Sequence, residues 1–175
     1  MVKSIMANDT LHLMREDLSL SKSELESLIE EWLPRLHHAQ VGHYITSEIL
    51  YKRADVLGYA LIVSSTIVTA MLFLDTEGYQ KLFLILMSVL AATLSGVVSF
   101  GRFAEKAEQH RSAAGSYGKL RRQLEKLSKT TDKLVYNDLD AKLKVLRIEW
   151  EYVSQNAPLT PRSAIEKLHE KKNTQ

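Results

Sequence analysis

Histidines, scattered carboxylates and a run of hydroxyl side chains are the residues of this 175-residue chain whose types could do chemistry. His37, His38 and His43 invite a metal reading, because imidazole is a common ligand. A pair of ligands on one helix needs a spacing of three or four residues. These three stand one, five and six apart, well separated around a helix, so they read as solvated or packing side chains. Cysteine is absent, which removes disulfides, thiolate ligands and thiol nucleophiles. No glycine-rich phosphate loop, nucleophile elbow or HExxH spacing occurs, and the Ser, His and Asp residues lack the context of a triad. The expectation is a protein that is not an enzyme and uses no cofactor or metal.

The hydroxyls are better organised. Ser88, Ala92, Ser95 and Ser99 fall within about a 60° arc of a helix, while Leu86, Leu90 and Val97 take the opposite side. Gly58, Ser65 and Thr69 share a stripe with Ile62, opposed by Ala60, Val63, Ile67, Met71 and Leu74. Ala92 and Gly96 form a small-xxx-small pair. Lipid tails give no hydrophobic drive for helix association, so small residues that let backbones approach mark packed faces in a membrane. The ordinary reading is that the two stripes pack one helix on the other. The functional reading adds neighbouring subunits, because the second stripe, widened by Ala91 and Gly96, exceeds what one partner helix needs. Rearranged, such hydroxyl faces can line a water-filled path.

These stripes lie in segments 56–74 and 82–101, which contain no charge, Pro, Asn or Gln. Each is roughly 28 to 30 Å long as a helix, the thickness of a hydrocarbon core. A soluble bundle would need amphipathic partners on every side of both, and the rest of the chain offers segments with one apolar stripe each. Two transmembrane helices are therefore expected, with the lipid bilayer as a partner. Lys3, Arg15, Glu16 and Asp17 interrupt any apolar run near the start, so the first span is expected to direct insertion itself. The net charge of +2 is small and evenly spread, which argues against direct nucleic-acid binding.

Lys52 and Arg53 precede the first span, and Arg102, Lys106 and Arg111 follow the second, whereas the connection at 75–81 carries Lys81 against Asp75 and Glu77. Short-loop cations stay cytoplasmic, so both termini are expected inside an inner membrane, with the loop outside. Tyr59 and Tyr79 suit the interfaces. The seven-residue connection makes the spans antiparallel neighbours.

Around the spans the pattern is all-α. Residues 1–22 read as a flexible N-terminal segment, and Ser21 with Glu24, or Ser23 with Glu26, fits a capping box. Pro34 either kinks the helix that follows or starts a new one. From Arg35 the helical pattern continues into the first span. Beyond the second it runs on from Arg102 to about Lys129, with Phe103, Ala107, His110, Ala114, Tyr117, Arg121 and Leu124 at alternating four and three. That is a heptad seam. The stretch 128–132 reads as a turn, and a further helix to Asn156 repeats the pattern with Leu139, Leu143, Leu146, Trp150 and Val153. Ala141, Val145, Ile148 and Tyr152 extend its face. Ala157 before Pro158 stops it, Pro161 can start a short last helix, and 166–175 reads as a polar tail. The two heptad surfaces look larger than one chain covers, so a homo-oligomer is expected.

Trp32, His43-Tyr44, the basic Tyr51-Lys52-Arg53 entering the first span at Leu57-Gly58, and a second span running into Arg102-Phe103, His110-Arg111, Ala114 and Tyr117 to Leu120 form a recognisable order, closed by Ala157-Pro158 and Pro161. From about residue 25 to 165 the chain resembles the SLATT family, two-transmembrane effector domains associated with nucleotide-synthesising and nucleotide-sensing proteins of bacterial conflict systems. The resemblance implies one domain over 23–165 and a pore-forming or membrane-perturbing effector in antiphage defence. It also implies a cyclic-nucleotide synthase or sensor as a possible partner. Fused members carry a nucleotide-sensing domain that these residues do not include, so a separate sensor or a ligand on the cytoplasmic helices is expected to trigger it. The alternative function is a non-conducting anchor that recruits a soluble enzyme.

Overall fold

The computed structural model describes residues 21–74 and 77–161. The expected flexible start (up to residue 20), part of the loop, the short last helix and the polar tail lie outside the described residues. What is described is all-helical: α1 (Lys22–Leu72), α2 (Tyr79–Gly101), α3 (Phe103–Ser128), a 3-10 turn (Thr131–Lys133) and α4 (Tyr136–Asn156).

The start of α1 is set by the first of the two candidate capping boxes. The Ser21 N–H donates to the Glu24 carboxylate at 2.6 Å, and the Glu24 N–H donates to Ser21 Oγ at 3.3 Å. Two of the orphan donors of the first turn are thereby satisfied. Ser23 turns its hydroxyl to that of Ser21 instead, at 3.0 Å. Pro34 lies inside α1 without ending it. The carbonyl it strips of a partner belongs to Glu30, and both residues are exposed, so water replaces the lost bond. The 51-residue helix is about 76 Å long.

Three contacts fix how α3 lies on α1. Tyr51 donates to Glu108 at 2.6 Å, His43 meets His110 at 3.0 Å, and Arg121 donates to His37 at 2.9 Å. Partners descend α1 as they climb α3, so the helices are antiparallel. α4 returns antiparallel to α3, with Lys119 3.8 Å from Glu149. It is thus parallel to α1: the Trp32 and Trp150 rings meet edge to face at 5.5 Å, and further along, a Cβ on Gly42 would lie 3.5 Å from the Thr160 methyl. Leu25, Ile29 and Leu36 of α1, Tyr117, Leu120, Leu124 and Leu127 of α3, and Leu139 and Leu143 of α4 form the core.

α2 packs back on the second half of α1, and this part is almost bare. Ser64 is the only buried residue of α1 beyond Ser47, and α2 has none. A core helix of a soluble bundle would be mostly covered; these two long apolar helices are not. Both are long and apolar enough to cross a membrane.

One expectation is corrected here. The second apolar segment does not run unbroken into the next helix: Arg102 is left-handed, with φ at +47°, and separates α2 from α3. The Phe103 ring folds over Gly101 so closely that a Cβ there would lie 2.3 Å from a ring carbon. Glycine leaves space for the ring, and Arg102 takes the strained angle, held by its ion pair with Glu105.

Candidate functional site

Two groups of residues stand out: the small faces of the apolar helices and a buried histidine pair between α1 and α3. The seam between α2 and α1 can be read from exposure. On α2 the less exposed residues are Leu84, Met87, Ala91, Leu94, Val98 and Gly101, again at three and four. On α1 they include Leu57, Leu61, Ser64, Val68 and Met71. Ser88, Ala92, Ser95 and Ser99 are all exposed, as are Ser65 and Thr69; Gly58 and Gly96 are half-buried. The two small stripes therefore do not make the contact between α1 and α2, contrary to the ordinary reading.

Their direction follows from helical geometry. Each stripe lies about 100° from its own helix's seam, in the same rotational sense along the chain. Because the two helices run in opposite directions, equal rotations bring both stripes to the same flank of the pair. Ser65, Thr69 and Ser88 turn their hydroxyls back to main-chain carbonyls of their own helix at 3.0, 2.9 and 2.8 Å. A hydroxyl so engaged tolerates an apolar environment and can still be re-aimed towards water. Ser64, which sequence reasoning passed over, is the hydroxyl that does enter the seam, at 3 % exposure.

The heptad of α3 is satisfied inside the chain. Ala107, His110, Ala114, Tyr117 and Leu124 are buried, and Phe103 and Arg121 partly so. On α4, Leu143 is buried, and Leu146 and Trp150 pack partly buried against the core. These seams do not exceed what one chain covers, contrary to the expectation: α1 covers that of α3, and α3 with α1 covers that of α4. A case for an oligomer has to rest on other faces.

The α1–α3 contact is close because small residues line it. A Cβ on Gly118 would lie 2.7 Å from the Gln40 side chain, and Ala107 and Ala114 are fully buried. Within it, His43 and His110 meet through their Nδ1 atoms at 3.0 Å, and the Tyr117 ring stacks on His43 at 5.4 Å. One Nδ1 carries the proton and donates; the other accepts. Thr160 Oγ1 lies 3.5 Å from the other nitrogen of His43. Burial lowers the pKa of His43 to about 4, with the neighbouring His110 as a second cause, and burial lowers that of His110 too. Near neutral pH the pair is uncharged. Sequence spacing placed His110 in the seam, and the structure leaves His37 and His38 exposed while His43 is buried. The pairing of His43 with His110, 67 residues apart, depends on the register of α3 on α1, which no local pattern carries.

Comparisons of the chain with protein-family models, with curated proteins and with solved structures find no match.

Proposed function

We propose that the chain is a non-enzymatic, multi-pass inner-membrane effector of bacterial antiphage defence, of the SLATT kind. Residues 56–74 and 82–101 form its transmembrane hairpin, and the packed parts of α1, α3 and α4 form a cytoplasmic bundle continuous with it. Both termini are cytoplasmic, in line with the cation asymmetry across the spans. Copies associate in the bilayer and perturb it, or open a pore, when a partner or nucleotide signal acts on the bundle.

The observation that carries this reading is the flank bearing exposed Ser65 and Thr69, with half-buried Gly58, beside exposed Ser88, Ala92, Ser95 and Ser99. A surface meant only for lipid gains nothing from small hydroxylated side chains, whereas a helix neighbour or a thread of water does. The order of short motifs in which the chain resembles the SLATT family supports the defence context.

The test compares Ser95→Leu with Leu90→Ile at equal membrane abundance, reading growth arrest and membrane depolarisation on overproduction. The first variant adds bulk on the small flank and is expected to abolish most of the depolarisation; the second keeps size and apolarity on the other side and is expected to leave it intact. Full depolarisation by Ser95→Leu would show the flank to be wrongly assigned. A protein that never depolarises cells would be the non-conducting anchor.

A further inference from the structure

α4 is apolar on two opposite faces, and among the described residues only one of them is covered. Leu139, Leu143, Leu146, Trp150 and Val153 face the core. Ala141, Val145, Ile148 and Tyr152 lie within about a 60° arc on the other side, with Val145, Ile148 and Tyr152 at 56, 67 and 69 % exposure. Their spacing of four, three and four is that of alternating a and d positions. Lipid does not reach this face on the membrane reading. Trp150 packs beside Trp32, which stands 24 helical residues before the first span at residue 56, about 36 Å away.

We propose that this outer face of α4 is a self-association seam on which a second copy of the chain lays its own α4 in parallel. Charge supports that occupant. With Val145 and Tyr152 at a, and Ala141 and Ile148 at d, Lys144 takes g and Glu149 takes the e position five residues on. A parallel pair brings g of one helix against that e of the other, so Lys144 meets the second copy's Glu149, twice per dimer. The other two g–e combinations, Asn137 with Lys142 and Glu151 with Asn156, place no like charges together. In the single chain, Lys144 holds Asp140 at 2.6 Å and Glu149 lies 3.8 Å from Lys119, exposed pairs weak enough to share. Ala141 and Val145 also wall a groove of 420 Å³ with Gln123 and Lys126 of α3, which leaves room for the neighbour's side chains.

The direction, and only the direction, rests on the membrane reading. An antiparallel pair would be equally complementary, joining Lys144 to Glu151 and Lys142 to Glu149. But α4 runs parallel to α1, so copies that share a bilayer and an orientation present α4 with the same polarity, related by an axis along the membrane normal.

The chain has no cysteine, so single cysteines report contacts without background. The full-length protein carrying Ile148→Cys, or Ser154→Cys on another face of α4, is oxidised in native membranes and run on a non-reducing gel. The expected result is a disulfide dimer for Ile148→Cys at roughly ten times the yield of Ser154→Cys, since facing d residues come within bridging distance. Lys144→Glu is expected to cut that yield about fivefold, and adding Glu149→Lys to restore it. Equal yields for the two cysteines would overturn the seam whatever Ser95→Leu does. Co-expressed Val145→Cys and Ile148→Cys chains that cross-link to each other more than to themselves would overturn the parallel direction. Protein released by alkaline carbonate that still dimerises through position 148 would support the seam while sinking the membrane reading.

Discussion

The part of α1 before residue 56 and the part after it belong to one unbroken helix, yet they are covered in opposite ways. The first part buries Leu25, Ile29 and Leu36 and, further on, His43, Thr46 and Ser47, while Glu30, Arg35, Lys52 and Arg53 face outward. The second part leaves Val56, Tyr59, Ile62 and Val63 more than half exposed and hides a serine. The inversion teaches that helical periodicity does not decide what faces in. The surroundings do. Where water is outside, close packing and even a polar pair are worth enclosing; where the outside is apolar, the same backbone can wear its large side chains on the surface.

The largest expected contrast comes from one deletion in each region. Leu139 is fully buried, so Leu139→Ala is expected to cost roughly 2 to 5 kcal/mol of stability. Leu86, at 59 % exposure, leaves no cavity when shortened, and Leu86→Ala is expected to cost less than about 0.5 kcal/mol. Helix content followed through chemical unfolding in detergent would measure both. Similar losses would mean that the apolar half is packed as tightly as the bundle.

Acid should break the packed region next. The folded pKa of His43 is depressed to about 4 from an ordinary 6.5. The unfolded chain therefore binds its proton first, and the stability present above about pH 6.5 is lost as pH falls towards 4. The groups facing His43 are His110, Tyr117 and Thr160, none of which offers a compensating negative charge. The loss is expected to be at most about 3 kcal/mol, the full size of the shift, and smaller as far as solvent screens the ring. Unfolding midpoints at pH 7 and pH 4 would show it. The double variant His43→Gln with His110→Gln should flatten most of the difference; a variant as acid-sensitive as the parent would remove the pair as the cause.

The smallest effect is at the start of α1. Ser21→Ala removes the cap and is expected to cost about 1 kcal/mol, read as a lower unfolding midpoint together with faster hydrogen exchange in the first turn.

The all-helical class, the start of α1, the end of α4 and the turn near residue 130 were legible because each has a local cause, such as a capping box at Ser21, a residue before Pro at Ala157 or an uninterrupted apolar run. The seams of α3 and α4 were legible as surfaces but not as to what fills them. A heptad says that a helix wants a neighbour; only the register of α3 on α1 says that the neighbour is in the same chain. The small stripes misled in a related way. Small residues mark close approach, but the contact between α1 and α2 uses Leu84, Met87 and Leu94, a quarter turn away, and leaves the stripes free. The break at Arg102 had no local signal, since a left-handed arginine is unusual and its glycine neighbour, Gly101, was counted as part of an apolar run.

That break gives the molecule two unlike limbs. Twist applied to a helix travels as far as its hydrogen-bond ladder is continuous, and from Pro34 to Leu72 the ladder of α1 has no further proline to interrupt it, so this stretch joins the packed half to the apolar half as one rod. The returning limb is interrupted at Arg102, where φ of +47° departs from the helical backbone between α2 and α3. On the proposed function, a turn imposed on the bundle would reach the apolar helices through α1 first. Rotation of one against the other is what would swing the small stripes of the two helices out of their shared flank.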